Sequence, residues 1–308
     1  MAKLMSLIKR NVKLFFKDKG MFFTALVTPI ILLFLYAIFL GNVFRDSFVA
    51  GIPEGFSLND DILDALVGGQ LISSILSVSC VTVAFCSNFL IVQDKANGVL
   101  KDLKISPIKK STLAVSYYVA TFTSTLLICF TATIISLIYV ATIGWYMSFI
   151  DVVLLFVDVF ILSLFGTAIS SLINYFLSSQ GQISAVSSIV TAGYGFICGA
   201  YMPISSFATG LQKVLLFLPG TYGTSLIRNH SLGGVFAEME SQGIPTAVVD
   251  SLKSSLDCSP KFFDCSVSIP MMYLILDVTI LVLLCVYILV NTLKDKKRKA
   301  KSNNKNNQ

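Results

Sequence analysis

Charge is scarce in this chain. Only 13% of its 308 residues are Asp, Glu, Lys or Arg, while 55% are hydrophobic, and there is a single histidine. A water-soluble protein must cover its surface with polar groups, so a chain this poor in them cannot bury its apolar surface by folding in water. The lone histidine, His230, supports no histidine-based metal centre and reads as a solvated loop residue. No GxxxxGK[ST] run is present, which excludes that way of cradling nucleotide phosphates. No GxSxG elbow, CxxC pair or His/Glu metal pattern occurs either. Nothing argues for catalysis, a cofactor site or a metal site within the chain. Ten-residue strand-like alternation is missing, which argues against a membrane β-barrel.

What is present is a series of apolar runs near the length that crosses ~30 Å of hydrocarbon. The spacing predicts an all-α polytopic membrane protein with six transmembrane helices, at about 21–40, 70–92, 115–142, 149–173, 182–202 and 269–293. An even number puts both ends on one side. Lys and Arg choose the side. Six precede residue 20, five lie in 94–110 and seven follow 293, so eighteen of the 23 share one face. Both termini and the 94–110 loop are therefore expected in the cytoplasm of a plasma-membrane protein. The net charge of +6 reflects that asymmetry and does not suggest nucleic acid.

Residues 1–20 form an expected interfacial amphipathic helix. Leu4, Ile8 and Phe15 gather on its apolar side, Lys9, Arg10 and Lys13 on the other. It bends near Asp18–Gly20 into a first span containing Pro29. In the 94–110 loop, Ala96, Val99, Leu100 and Leu103 fall at i, i+3, i+4 and i+7, one face of a short surface helix that stops before Pro107. Such a helix either rests on lipid headgroups or docks its apolar stripe into a soluble partner.

The loop 203–268 is expected outside. Its first part suits a pair of short segments that dip into the outer leaflet and return, and about 229–265 reads as a small exposed insertion. There Cys258 and Cys265 could form a disulfide; the other five cysteines read as packing residues. Two acids, Asp158 and Asp277, fall inside spans with no basic residue in a span core to pair them. They are expected either in ordinary hydrogen-bonded helix contacts or in a substrate or proton pathway. The tail 294–308 is basic, then Asn-rich, and is expected to be disordered and drawn to anionic membrane lipid.

The order of these features resembles the membrane (permease) subunit of type-2 ATP-binding-cassette exporters, in the branch of drug-resistance and polysaccharide or teichoic-acid permeases. The loop carries Asp94, Gly98, Leu100, Leu103, Ser106 and Pro107 in that family's order. The outer segment carries Met202, Pro203, Leu218, Pro219 and Arg228 likewise. The 229–265 stretch is longer than the usual family connector. The resemblance implies two permease copies, each above a separate nucleotide-binding ATPase subunit that holds the ATP and magnesium. It implies a coupling helix through Asp94, Gly98, Val99, Leu100, Leu103, Ser106 and Pro107, braced by the N-terminal helix. It also implies an outer re-entrant segment and outward movement of an amphiphilic drug, peptide or lipid-linked substrate. The residues also allow a proton-coupled secondary transporter using Asp158 and Asp277, or a membrane sensor or anchor acting through the outer loop.

Overall fold

The computed structural model describes residues 2–50, 58–106, 108–263 and 265–306. Among them the chain is almost wholly helical, the exception being a two-stranded hairpin, β1 (Lys261–Phe262) and β2 (Cys265–Ser266). Five helical stretches are long and apolar enough to cross a membrane: Lys19–Val49, Asp60–Ala96, Ser111–Ile143, Phe149–Phe176 and Ile269–Thr292.

The helix α1 (Ala2–Lys17) leads into the first stretch, α2 (Lys19–Leu35), a π-helical turn (Tyr36–Leu40) and α3 (Gly41–Ala50). The bend falls at Asp18, whose carboxylate accepts the amide of Met21 at 3.1 Å and so caps α2. The second stretch comprises α4 (Asp60–Ser87) and α5 (Phe89–Ala96), followed by the short α6 (Val99–Ile105). After it run α7 (Lys110–Ile143) and α8 (Phe149–Phe176). Ser148 and Asp151 cap α8 reciprocally, the serine hydroxyl accepting the Asp151 amide and the carboxylate accepting the Ser148 amide.

The helix α4 is the axle of the fold. Every residue from Gly68 to Ser87 is buried, and α2, α7, α8, α9 (Gln180–Ile197) and α11 (Pro219–Ser241) pack around it. Its composition explains that place. Ser73, Ser74, Ser77, Ser79 and Thr82 are small enough for close approach from all sides. Ser73, Ser77 and Thr82 return their hydroxyl protons to carbonyls of their own helix, so they enter an apolar environment satisfied.

Three expectations change here. The stretch expected as the span 182–202 forms α9, which ends at Ile197. The amides of Ala200 and Tyr201 both turn back to the Gly195 carbonyl, which ends the helix before Met202. Second, the region expected as an exposed insertion begins as buried helix, and only beyond Met239 is it mostly exposed. After α10 (Thr209–Leu215), α11 runs without interruption through residues 229–241, with Arg228, His230, Ser231, Leu232, Val235, Phe236 and Met239 buried. Its polar and glycine residues look like a loop in sequence, but they meet complementary partners. The Ser231 hydroxyl reaches the Gly69 carbonyl of α4 at 3.1 Å. A Cβ on Gly234 would stand only 1.9 Å from the Tyr146 carbonyl oxygen, so only glycine lets that turn approach. Beyond it, α12 (Thr246–Ser255) and the hairpin cover this end. Third, the tail expected as disordered continues α13 (Ile269–Asn306) as helix. No proline or glycine follows Pro270 to end it.

Candidate coupling site at the α5–α6 elbow

The elbow is made by one residue. Gly98 has φ +82°, a conformation that favours glycine, and it turns the chain between α5 and α6. The continuous helix expected from the apolar spacing is therefore broken between Ala96 and Val99. The stripe is broken with it. Leu100 is buried and joins the main core, and Leu103 packs against that core. Ala96 is exposed and Val99 half-buried. The face left to solvent carries Ala96, Asn97, Lys101, Asp102 and Ile105, the last 84% exposed. Burial of the leucines is the physical reason: the nearest apolar surface is the chain's own bundle. Ser106 closes α6 in an extended conformation, and its hydroxyl donates to the Leu103 carbonyl at 2.7 Å. Pro107 lies outside the described residues.

Two adjacent side chains fasten the elbow. Asp94 is buried and accepts from Arg10 Nη1 of α1 at 3.0 Å and from the Tyr117 hydroxyl of α7. Burial opposes the Arg10 charge, but the bond and attraction to Asp94 outweigh it, and the guanidinium pKa is raised. Lys95 points the other way. Its Nζ donates to the carbonyls of Asn174, Tyr175 and Leu177 at 2.9, 2.8 and 3.0 Å, groups left open where α8 ends. Two turns earlier, Asn88 Nδ2 donates to Ser170 and Ser171 of α8 at 3.2 and 2.9 Å. From the α7 side, the Thr121 hydroxyl donates to the Asn88 side-chain oxygen Oδ1 at 3.4 Å. Polar bonds therefore tie the α5 side of the elbow to α1, α7 and α8, and the backbone joins it to α4.

The helix α1 also differs from its expected role. Leu7, Asn11 and Phe15 are buried in the protein, Leu4 and Ile8 are half-buried, and Lys9 and Lys13 remain exposed. The apolar side expected against lipid is turned largely onto α7. Sequence reasoning placed Arg10 among the headgroups and missed its bond to Asp94, 84 positions away.

At the far end of the bundle a second junction holds the expected re-entrant residues. Arg228 is 1% exposed, and its two terminal nitrogens donate to the carbonyls of Leu256 at 2.5 Å and Gly199 at 2.9 Å. Asp257 stands 3.8 Å from it and accepts the amides of Ile204 and Ser205. Burial raises the Asp257 carboxyl above the ordinary range, against the pull of Arg228 and those amides. This knot fixes the turn bearing Met202 and Pro203 beside α12. Leu218 is exposed, and Pro219 opens α11 at its first position, where a missing N–H costs nothing. Only the first arm, α10, is short; the second is the long buried α11. Met202 and Pro203 line a groove of about 860 Å³ with Leu32, Phe44, Phe196 and Tyr201. Cys258 and Cys265 are free, not bridged. Cys258 is buried in the core under α11 and α12, where burial pushes its thiol up to about 12, whereas Cys265 is exposed on β2.

Near the same end, the histidine expected in solvent is buried. His230 Nδ1 lies 2.6 Å from one oxygen of Asp158, and the Tyr273 hydroxyl donates to the other at 2.5 Å. The base missing from the span cores thus comes from α11. Asp277 lies one turn beyond Tyr273 on α13 and is exposed, so Asp158 and Asp277 form no pair.

The ABC-2 type transporter family matches residues 2–230. The chain belongs to that family. No curated protein matches it. An ABC-2 membrane protein is the permease component of an ATP-binding-cassette transporter and works with a separate ATP-binding subunit. The match takes in α1, the elbow and the buried Arg228, and it ends at His230. In this ABC-2 permease α12, the hairpin and α13 lie beyond the matched residues.

Proposed function

We propose that this permease exports an amphiphile, such as a drug, a peptide or a lipid-linked molecule, from the cytoplasmic side outward. A second copy completes the pathway, and ATP with magnesium is hydrolysed in the partner subunit. The exposed face of α6 is the partner's grip. The observation that carries this reading is the Asp94–Lys95 junction, which ties the exposed α5–α6 elbow to α1, α7 and α8. Positive charge supports the orientation, since the basic α1 and the elbow share an end. In this reading α9 crosses the membrane as a sixth span: its 18 residues reach about 27 Å, near the hydrocarbon thickness. The apolar side chains that α2 and α9 leave exposed, Phe34 and Ile189 among them, supply the surface for the second copy.

The two other readings have less support. Both oxygens of Asp158 are engaged and Asp277 stands apart, which leaves a proton pathway through the two without a link. The first part of the 229–265 stretch is a buried face of α11, which suits a free sensing loop poorly.

Ile105→Asp tests the reading. The chain should insert and fold normally but lose its ATP-binding subunit on co-purification, and ATP-driven transport in proteoliposomes should stop. Asp277→Asn should leave transport intact. Transport that continues without ATP and stops with Asp277→Asn would overturn the proposal.

A further inference from the structure

A second groove opens in the side of the bundle, away from both junctions. The helices α2 and α7 border it with α4 at its back, and the seam encloses about 600 Å³. Phe22, Pro29 and Leu33 of α2 face Leu127 and Ala132 of α7 across it, and Phe16 of α1 stands at one end. Along α2 the lining runs from Phe22 to Leu33, about 16 Å at the rise of a helix. Thr131 and Ser136 are the only hydroxyl residues in it, and Thr131 returns its proton to the Leu127 carbonyl. The slot therefore offers a ligand dispersion and apolar burial only.

Its mouth is different. Phe16 and Phe22 meet there with ring centroids 5.9 Å apart. Lys9 and Lys13 precede Phe16 by seven and three positions, so all three lie along one stripe of α1. Lys17 and Lys19 flank the bend. All four lysines are exposed, and none pairs with a carboxylate among the described residues. The nearby Asp18 is occupied with the Met21 amide. An apolar slot with Phe16 in its lining, one turn along α1 from the exposed Lys13 and next to Lys17, suits a hydrocarbon chain ending in an acidic head. A free phosphate would leave the slot empty, and a zwitterionic lipid would gain little from the lysines.

We propose that this groove is a binding site for an acidic glycerophospholipid, one acyl chain lying between α2 and α7 and the headgroup phosphate held by Lys13 and Lys17. The lipid fixes the α1–α2 bend to α7, and so steadies the helix that Arg10 ties to the elbow. The site stands independently of the direction of transport and of the substrate.

The test uses the full chain in vesicles. Trp145 is the sole tryptophan. Phe22→Trp combined with Trp145→Phe moves the only indole to the groove mouth. Phosphatidylcholine vesicles receive a minor fraction of chain-brominated phosphatidylglycerol or, in parallel, of chain-brominated phosphatidylcholine, and quenching is recorded. Quenching should show a several-fold preference for the acidic lipid. Replacing Lys13, Lys17 and Lys19 with Gln should abolish that preference, since one lysine at an anionic surface contributes up to about fivefold. Ala132→Phe, which fills the slot, should reduce quenching by both lipids. Equal quenching by the two lipids, or a preference that survives the lysine replacements, overturns the site. So does an equal preference at Phe149→Trp, on the lipid-exposed start of α8 at the opposite end, measured in the same Trp145→Phe background.

Discussion

Removing the Asp94 carboxylate should cost more than its single ion pair suggests, and should uncouple the permease before it unfolds it. In Asp94→Ala the Tyr117 hydroxyl stays buried with no acceptor, which costs about 1–3 kcal/mol. Arg10 keeps access to water, its side chain being 31% exposed, so losing that ion pair adds only about 0.2–1 kcal/mol. The sum is about 1–4 kcal/mol, most of it from the orphaned hydroxyl. Tyr117→Phe in the Asp94→Ala background removes the orphan. The double variant should therefore be more stable than additivity predicts by about 1–2 kcal/mol. Reversible unfolding of the purified chain in mixed micelles measures the cycle. With the ATP-binding subunit present, Asp94→Ala should still support ATP hydrolysis while transport per ATP falls, because α1 is no longer tied to the elbow. Additive effects of the two substitutions would refute the energetic argument. Unchanged transport per ATP in a folded Asp94→Ala permease would refute the mechanical one.

Two further outcomes follow from the same geometry. Gly98→Ala forces a side chain into a left-handed backbone and should cost about 1–2 kcal/mol, seen as a lower unfolding midpoint, although nothing lies within 4 Å of the added methyl. His230→Leu removes one hydrogen-bond partner of the buried Asp158 and should cost about 1–3 kcal/mol, whereas His230→Leu with Asp158→Leu should recover much of it; a double variant no better than the single one in the same unfolding assay would count against that pairing.

The class of protein was legible in the chain. Long apolar runs with scarce charge admit few alternatives to a helical membrane bundle, because every backbone polar group must be satisfied inside each helix. The bend at Asp18 and the end of α6 before Pro107 were legible too, since bends and prolines act locally. The order of Asp94, Gly98 and the leucines marked this elbow. It gave the wrong face, because periodicity says which residues share a side and not what covers it. Leu100 and Leu103 had two possible partners, another protein or their own bundle, and only packing could choose.

Composition alone determined that this chain lives in a membrane, and local sequence order determined where several of its helices bend and stop. Tertiary structure decided everything that depends on meeting at a distance: Arg10 with Asp94, Lys95 with the end of α8, His230 with Asp158. A polar residue in a stretch read as loop looks solvated until a complementary group 72 or 84 positions away is brought against it. In a medium of low dielectric that partner is what makes its burial tolerable, and it cannot be read from the neighbours in sequence.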